Sequence, residues 1–97
     1  VNLGQGLVIP TVFSLNQNYP NPFNPSTTIT YDVKQSGPVV LKVFDLLGKE
    51  VTSLVDAFKC IGSYQINWQP NNLSSGAYFA KITHGENTQT IKLMLLK

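Results

Sequence analysis

The sequence is short of charge. Asp, Glu, Lys and Arg together make up 12% of its 97 residues, about half the share of an ordinary globular chain. It has no arginine: the seven basic residues are all lysine, set against five acidic ones for a net charge of +2. So small a balance, with no basic run and without the residue that most often reads base edges, excludes nucleic acid as an expected partner. One cysteine, Cys60, is present. It permits neither an intrachain disulfide nor a cysteine-based zinc site. It reads as a small filler or a free thiol in a loop, because a reactive thiolate needs a cationic setting and Lys59 alone supplies little of one. No apolar run approaches the roughly 20 residues of a spanning helix, so no membrane span is expected. No secretory signal peptide is recognisable. Val1 in place of Met reads as the mark of a piece of a longer protein.

Catalytic constellations are also missing. His84, the one histidine, stands beside Gly85 and reads as a solvated turn residue, since general acid–base catalysis needs a partner that the sequence does not offer. Ser74 and Ser75 fit no Gly-x-Ser-x-Gly nucleophile elbow and read as turn chemistry. The acidic residues Asp32, Asp45, Glu50, Asp56 and Glu86 are scattered. Asp45 and Asp56 are the pair to consider for calcium across a loop, but no EF-hand spacing supports a metal site. No glycine-rich loop cradles phosphate. No cofactor is expected, and no nucleophile, base and orienting group occur together as an enzyme requires.

What the sequence does have is proline and asparagine at one place and alternation everywhere after it. Asn16-Gln17-Asn18-Tyr19-Pro20-Asn21-Pro22-Phe23-Asn24-Pro25-Ser26 holds three of the six prolines. Each fixes φ near −65°, removes a donor and pushes the preceding residue toward extended geometry. The stretch predicts a rigid brace across the base of a β-domain, with Tyr19 and Phe23 reaching down onto a core. Val1 to Val12, loosened by Gly4 and Gly6 and containing Pro10, reads as a linker from an upstream domain, with the domain proper at 13–97. Val12 to Leu15 is a candidate short first strand.

From Thr27 the hydrophobic period is two, the mark of half-buried strands. Ile29, Tyr31 and Val33 are expected to face inward, as are Val39, Leu41 and Val43, then Tyr64, Ile66 and Trp68, then Tyr78, Ala80 and Ile82. Val51, Leu54 and Val55 suggest a further strand, with Asp56 to Ile61 a loop after it. Turns are expected at Gln35–Pro38, at Leu46–Lys49 with Gly48 free to take positive φ, and at His84–Asn87. The last strand is expected from Thr88 to Leu96. Six or seven short strands with a turn about every ten residues and no helix predict an all-β fold, an antiparallel immunoglobulin-like β-sandwich. Of the aromatics that a sugar-stacking platform would need, Tyr64, Trp68 and Tyr78 fall on the inward register and Phe79 does not, so core is the better reading.

Five blocks resemble the type A C-terminal sorting domain of type IX secretion cargo, also called the Por secretion system C-terminal domain. That family is itself similar to the Ig-like domain of the flagellar hook-assembly protein. The opening block carries Asn18, Tyr19, Pro20, Asn21, Pro22, Phe23, Asn24 and Pro25 and is the most specific. Val39 to Val51, with Gly48, resembles the second block. Gly62-Ser63-Tyr64 through Trp68 resembles the third, and Leu73 to Phe79, with Gly76 and Tyr78, the fourth. The final Lys92-Leu93-Met94-Leu95-Leu96-Lys97 resembles the terminal motif. The resemblance departs from the family at Ile91, where a basic residue is common, and at Cys60, Gln69-Pro70 and Ala80.

The resemblance implies a non-catalytic label at the C-terminus of a secreted bacterial protein, typically from the Bacteroidetes and their relatives. Cargo reaches the periplasm by an N-terminal signal. The outer-membrane translocon recognises the label, and a sortase-like peptidase commonly removes it, leaving the cargo secreted or on the cell surface. The residues implied in recognition are Lys92, Leu93, Met94, Leu95, Leu96 and Lys97. If that stretch is an edge strand, a receptor can add a strand to it; the alternative is that its leucines are core. Two other functions stay open, an accessory Ig-like module that binds polysaccharide or protein and a passive spacer beside a secreted enzyme. A label ends its protein, and Lys97 reads as such an end.

Overall fold

A computed structural model describes residues 13–96. The expected linker 1–12, including Val12 as a strand start, and the terminal Lys97 lie outside the described residues. Seven strands follow one another: β1 (Phe13–Leu15), β2 (Thr27–Val33), β3 (Gly37–Phe44), β4 (Glu50–Lys59), β5 (Gly62–Trp68), β6 (Gly76–His84) and β7 (Asn87–Leu95). They form two antiparallel sheets, β1-β2-β5 and β4-β3-β6-β7. The fold is the immunoglobulin-like sandwich that the alternation predicts.

Alternation is what makes the core. Successive side chains on a strand point to opposite faces. Accordingly Ile29, Tyr31 and Val33 on β2, Val39, Leu41 and Val43 on β3, Tyr78, Ala80 and Ile82 on β6, and Leu93 and Leu95 on β7 are all buried. The polar residues between them lie on the outer faces. Tyr64 and Ile66 share the inward register but pack only partly buried against this core, because β5 is the edge of the smaller sheet. The rings of Trp68 and Tyr78 meet edge-on at 6.4 Å and are core, with Tyr64 packed partly buried against it, while Phe79 is half-buried on the other face of β6.

Two Gly-x-Tyr pieces open β5 and β6 in the same way. The Tyr64 hydroxyl donates to the carbonyl of Cys60 at 2.7 Å, and the Tyr78 hydroxyl donates to the carbonyl of Ser74 at 2.7 Å. Each bond reaches back four residues and ties a strand to the loop that enters it, the logic of the tyrosine corner in sandwich folds. At the β3–β4 turn, Asp45 Oδ1 accepts from the amides of Leu47 and Lys49, at 2.9 and 3.0 Å. Gly48 closes the turn at φ +85°.

Four expectations need correction. Asp56 to Lys59 is strand and not loop: β4 runs on to Lys59, pairing Asp56 with Val40 and Lys59 with Gly37. These side chains do not alternate because β4 is an edge strand held by its backbone ladder, which leaves no hydrophobic trace in sequence. Asp45 and Asp56 do not meet; the ladder sets them about 17 Å apart along the strand at roughly 3.4 Å per residue. His84 is not a solvated turn residue. It ends β6 on the inward register, is 7% exposed, and its Nε2 lies 2.7 Å from the carbonyl of Gln35. Gly37 makes room for it: a Cβ there would sit 3.1 Å from Nε2. Tyr19 does not reach the core but is 82% exposed. Asn18 is buried just before it, and in extended backbone the next side chain must point the opposite way.

Candidate functional site

β7 pairs with β6 on one side only, so it is an edge of the four-stranded sheet. In an antiparallel ladder, alternate residues turn both backbone groups to the same side. Met94 turns its N–H and C=O away from β6, as its bonds to the brace show. By alternation Lys92, Thr90 and Thr88 do the same. These four residues make the outer rim of the last strand.

The brace covers the upper part of that rim. Phe23 N–H donates to the Met94 carbonyl at 2.9 Å, and Leu96 N–H donates to the Phe23 carbonyl at 3.0 Å, a short parallel bridge between Phe23 and Leu95. The Asn21 side-chain oxygen accepts from Met94 N–H at 2.9 Å. Gln17 Nε2 donates to the Lys92 carbonyl at 2.8 Å. Further down, Leu15 N–H donates to the Gln89 side chain at 2.8 Å, which ties β1 of one sheet to β7 of the other. Lower on the rim, no described residue bonds to the backbone of Thr88 or Thr90.

The brace is itself anchored. Asn18, buried to 3% exposure, donates through Nδ2 to Thr27 Oγ1 at 2.9 Å and to the Pro20 carbonyl at 3.1 Å. Thr27 Oγ1 donates to the same carbonyl at 2.9 Å. Buried polar groups are costly unless paired, and this triangle pairs them. The backbone of Tyr19 exchanges two hydrogen bonds with Thr28. Phe23 is buried, its ring 5.7 Å from that of Trp68. Pro20, Pro22, Asn24 and Pro25 are exposed, and all three X–Pro peptides are cis. The signature residues thus divide into anchors (Asn18, Phe23), a rim contact (Asn21) and a solvent-facing set led by Tyr19.

The implied recognition residues divide too. Leu93 and Leu95 are core, whereas Lys92 is exposed, Met94 half-buried and Leu96 51% exposed. Gln17, Thr27 and Gln89 belong to the site but carry no signal in the sequence beyond the density of amides at 16–21.

Elsewhere the chemistry is structural. Asp32 accepts from Ser14 Oγ at 3.0 Å and from Ser63 Oγ at 2.7 Å, a row that crosses β1, β2 and β5. The Ser63 hydroxyl first, and the Ser14 hydroxyl second, hold its carboxyl below the usual carboxylate value. Cys60 is free and exposed. Among the described residues, no group of three or more His, Cys, Asp or Glu is placed to hold a metal ion, and no helix is long and apolar enough to cross a membrane.

Comparisons place this geometry. The family described as the secretion system C-terminal sorting domain matches residues 17–96. Among solved structures, dimeric latent PorU from Porphyromonas gingivalis is similar with a TM-score of 0.65 and 17% identity. The similarity covers 92% of this chain and 10% of that one, so the chain spans about a tenth of its length. At that identity the likeness establishes the fold alone. No curated protein matches the chain.

Proposed function

The chain belongs to the family of secretion system C-terminal sorting domains, and from that premise we propose how it serves as a label. A domain of this family is a C-terminal sorting signal for type IX secretion. Its destination is therefore across the outer membrane, at the cell surface or beyond it. The observation that carries the function is the match over residues 17–96, which takes in the brace, both Gly-x-Tyr corners and the last strand.

In this reading, residues 1–12 link an upstream cargo domain to the sorting domain at 13–97. The cargo enters the periplasm by its own N-terminal signal. The outer-membrane translocon then recognises the folded sandwich, and a sortase-like peptidase removes it, with the cleaved bond in 1–12. The label performs no catalysis. In support, its imidazole and hydroxyls are occupied structurally: His84 packs under Gly37, and Ser14 and Ser63 hold Asp32. Recognition uses β7, through the exposed Lys92 and Leu96 and the half-buried Met94, with Lys97 next in sequence, while Leu93 and Leu95 hold the strand on the core. Strand addition to such an edge would supply affinity through backbone bonds and specificity through alternate side chains.

The test is a fusion of Val1 to Lys97 behind a signal peptide and a fluorescent protein, expressed in a bacterium with the type IX machinery and in a translocon-deficient derivative. Translocon-dependent arrival in the medium or on the surface is the expected result. Retention of a folded, intact fusion, beside a native label that is exported, would refute the reading.

A further inference from the structure

We infer that the outer face of the four-stranded sheet binds an acidic segment of a partner protein, one that sets a carboxylate between two apolar side chains. This assigns a surface apart from the edge of β7, and it stands on the fold whether or not the chain acts as a label. Three cross-strand rows join β3 and β6 on this face: Phe44 with Phe79, Lys42 with Lys81, and Val40 with Thr83. Residues directly opposite each other in an antiparallel pair share a face, and these six alternate with the buried core residues of the two strands. A groove of about 280 Å³ lies among them, lined by Val40, Lys42, Phe44, Lys81 and Thr83. Its two ends are apolar, at Phe44 and Val40, and its middle is cationic.

The lysine row breaks a rule of sheet pairing, since like charges directly opposite each other are destabilising. Lys42 is paired with Glu50 at 3.1 Å, but no ion pair joins Lys81 to any described residue. The acidic residues on this face, Glu50 and Asp56, both belong to β4, across β3 from Lys81. Lys92 on β7, opposite Phe79, adds a further positive charge on the side of Lys81. A local conflict of this kind is expected at a functional site, and a carboxylate seated between the two ammonium groups relieves it. The remaining residues, 1–12 and 97, contain no acidic side chain to do so, and 1–12 lead into β1 of the other sheet. A second copy of the chain would set lysine against lysine at the centre of the face. An anionic bilayer would meet the whole face, where Glu50 and Asp56 oppose it. The rows lie about 7 Å apart, two residues along a strand, and alternate side chains of an extended segment have the same spacing. The partner therefore carries an extended segment with an acidic residue between two apolar ones at alternate positions.

The test uses the full chain, labelled for NMR, and a blocked synthetic peptide, Phe-Thr-Glu-Thr-Phe, with a control in which lysine replaces the glutamate. The peptide is expected to bind with a Kd of about 1 mM and to shift the amides of residues 40–44 and 79–83 but not those of β2 and β5. The lysine control is expected to bind about tenfold more weakly or worse. Lys81→Glu is expected to act in two opposite directions. It makes the central row an opposite-charge pair, so the urea midpoint rises. It also repels the peptide, whose affinity falls about tenfold or more. Lys81→Gln serves in its place if the glutamate variant does not fold, with smaller changes in the same directions. No shifts at about 5 mM peptide, equal binding of the lysine control, or wild-type affinity in the folded Lys81 variant overturns the site. A lower urea midpoint in Lys81→Glu overturns the conflict from which the site is argued. Shifts in the same rows that grow with protein concentration alone give the face to a second copy. Saturation by phosphatidylglycerol vesicles where the peptide has no effect gives it to an anionic bilayer. Either result overturns the acidic segment.

Discussion

Among single residues, the signature separates into those the fold needs and those it does not. Phe23 is 2% exposed and fills the space beside Trp68. Phe23→Ala is expected to cost about 3–5 kcal/mol, the usual effect of truncating a buried aromatic. Tyr19, standing in the same motif, is almost wholly exposed, and Tyr19→Ala is expected to change stability by less than about 0.5 kcal/mol. Urea midpoints for the two variants check both. A large loss at Tyr19 would mean its ring packs on something the fold does not show. Gly48 makes a second case. Its φ of +85° is one that L side chains rarely adopt, and nothing lies within 4 Å of a Cβ built there, so crowding plays no part in a substitution. Gly48→Ala is therefore expected to destabilise by about 1–2 kcal/mol through backbone conformation alone. Gly48→Asn should cost less, since asparagine tolerates left-handed backbone. Equal costs for alanine and asparagine, measured by the same unfolding curves, would show that some other feature of the turn decides.

At the level of elements, the three strands of the smaller sheet are joined on their outer face by one carboxylate. Asp32 on β2 takes one hydroxyl from β1 and one from β5, and these bonds favour its charged form. A carboxyl whose folded pKa lies below its unfolded value, about 3.9, adds stability above that value and loses it as the pH falls through the folded one. The wild type is thus expected to lose stability from about pH 5 downward. Ser63→Ala, which removes the stronger of the two hydroxyl bonds to the carboxylate, should lose less between pH 6 and pH 3, and Ser14→Ala should show the same trend more weakly. Parallel pH dependence in all three proteins would remove Asp32 from the account. How much of each element was legible follows from where its partners lie. β2, β3 and β6 were readable because their inner faces are apolar at every second residue. His84 is legible in the same way, since it continues the series Tyr78, Ala80, Ile82, but its neighbour Gly85 is an equally strong turn signal. The end of β4 was not readable, because Asp56 to Lys59 is held by backbone bonds to β3 that no side chain announces. The closed rim was hidden for the same reason. Gln17 and Asn21 bond to backbone groups more than seventy residues away, and amides at such positions signal local turns equally well.

For the molecule as a whole, the last strand has two roles that share one stretch of sequence, and deletion cannot separate them. Leu93 and Leu95 are buried in the core between the two sheets, and the amide of Leu96 and both backbone groups of Met94 hold the brace. Removing residues 92–97 would strip two core leucines and free Phe23 and Asn21. Each buried leucine alone is worth about 2–5 kcal/mol, against a total of about 5–15 kcal/mol for a domain of this size. A truncated label would therefore fail to fold, and its failure to be exported would say nothing about recognition. Substitutions on the accessible side chains keep the two roles apart. Lys92→Glu and Met94→Glu in one variant reverse the charge and polarity that the outer face of β7 presents, yet leave Leu93 and Leu95 in place. The melting temperature is expected to shift only by the few degrees that about 1 kcal/mol brings in a domain this small. Translocon-dependent export of a fusion is expected to drop by about tenfold or more, as charge reversal at a contact imposes. If the doubly substituted label stays folded and leaves the cell at the wild-type rate, the side chains of the last strand are not what is read. Recognition would then have to lie elsewhere on the folded surface, with the solvent-facing tyrosine and prolines of the brace as the next place to look.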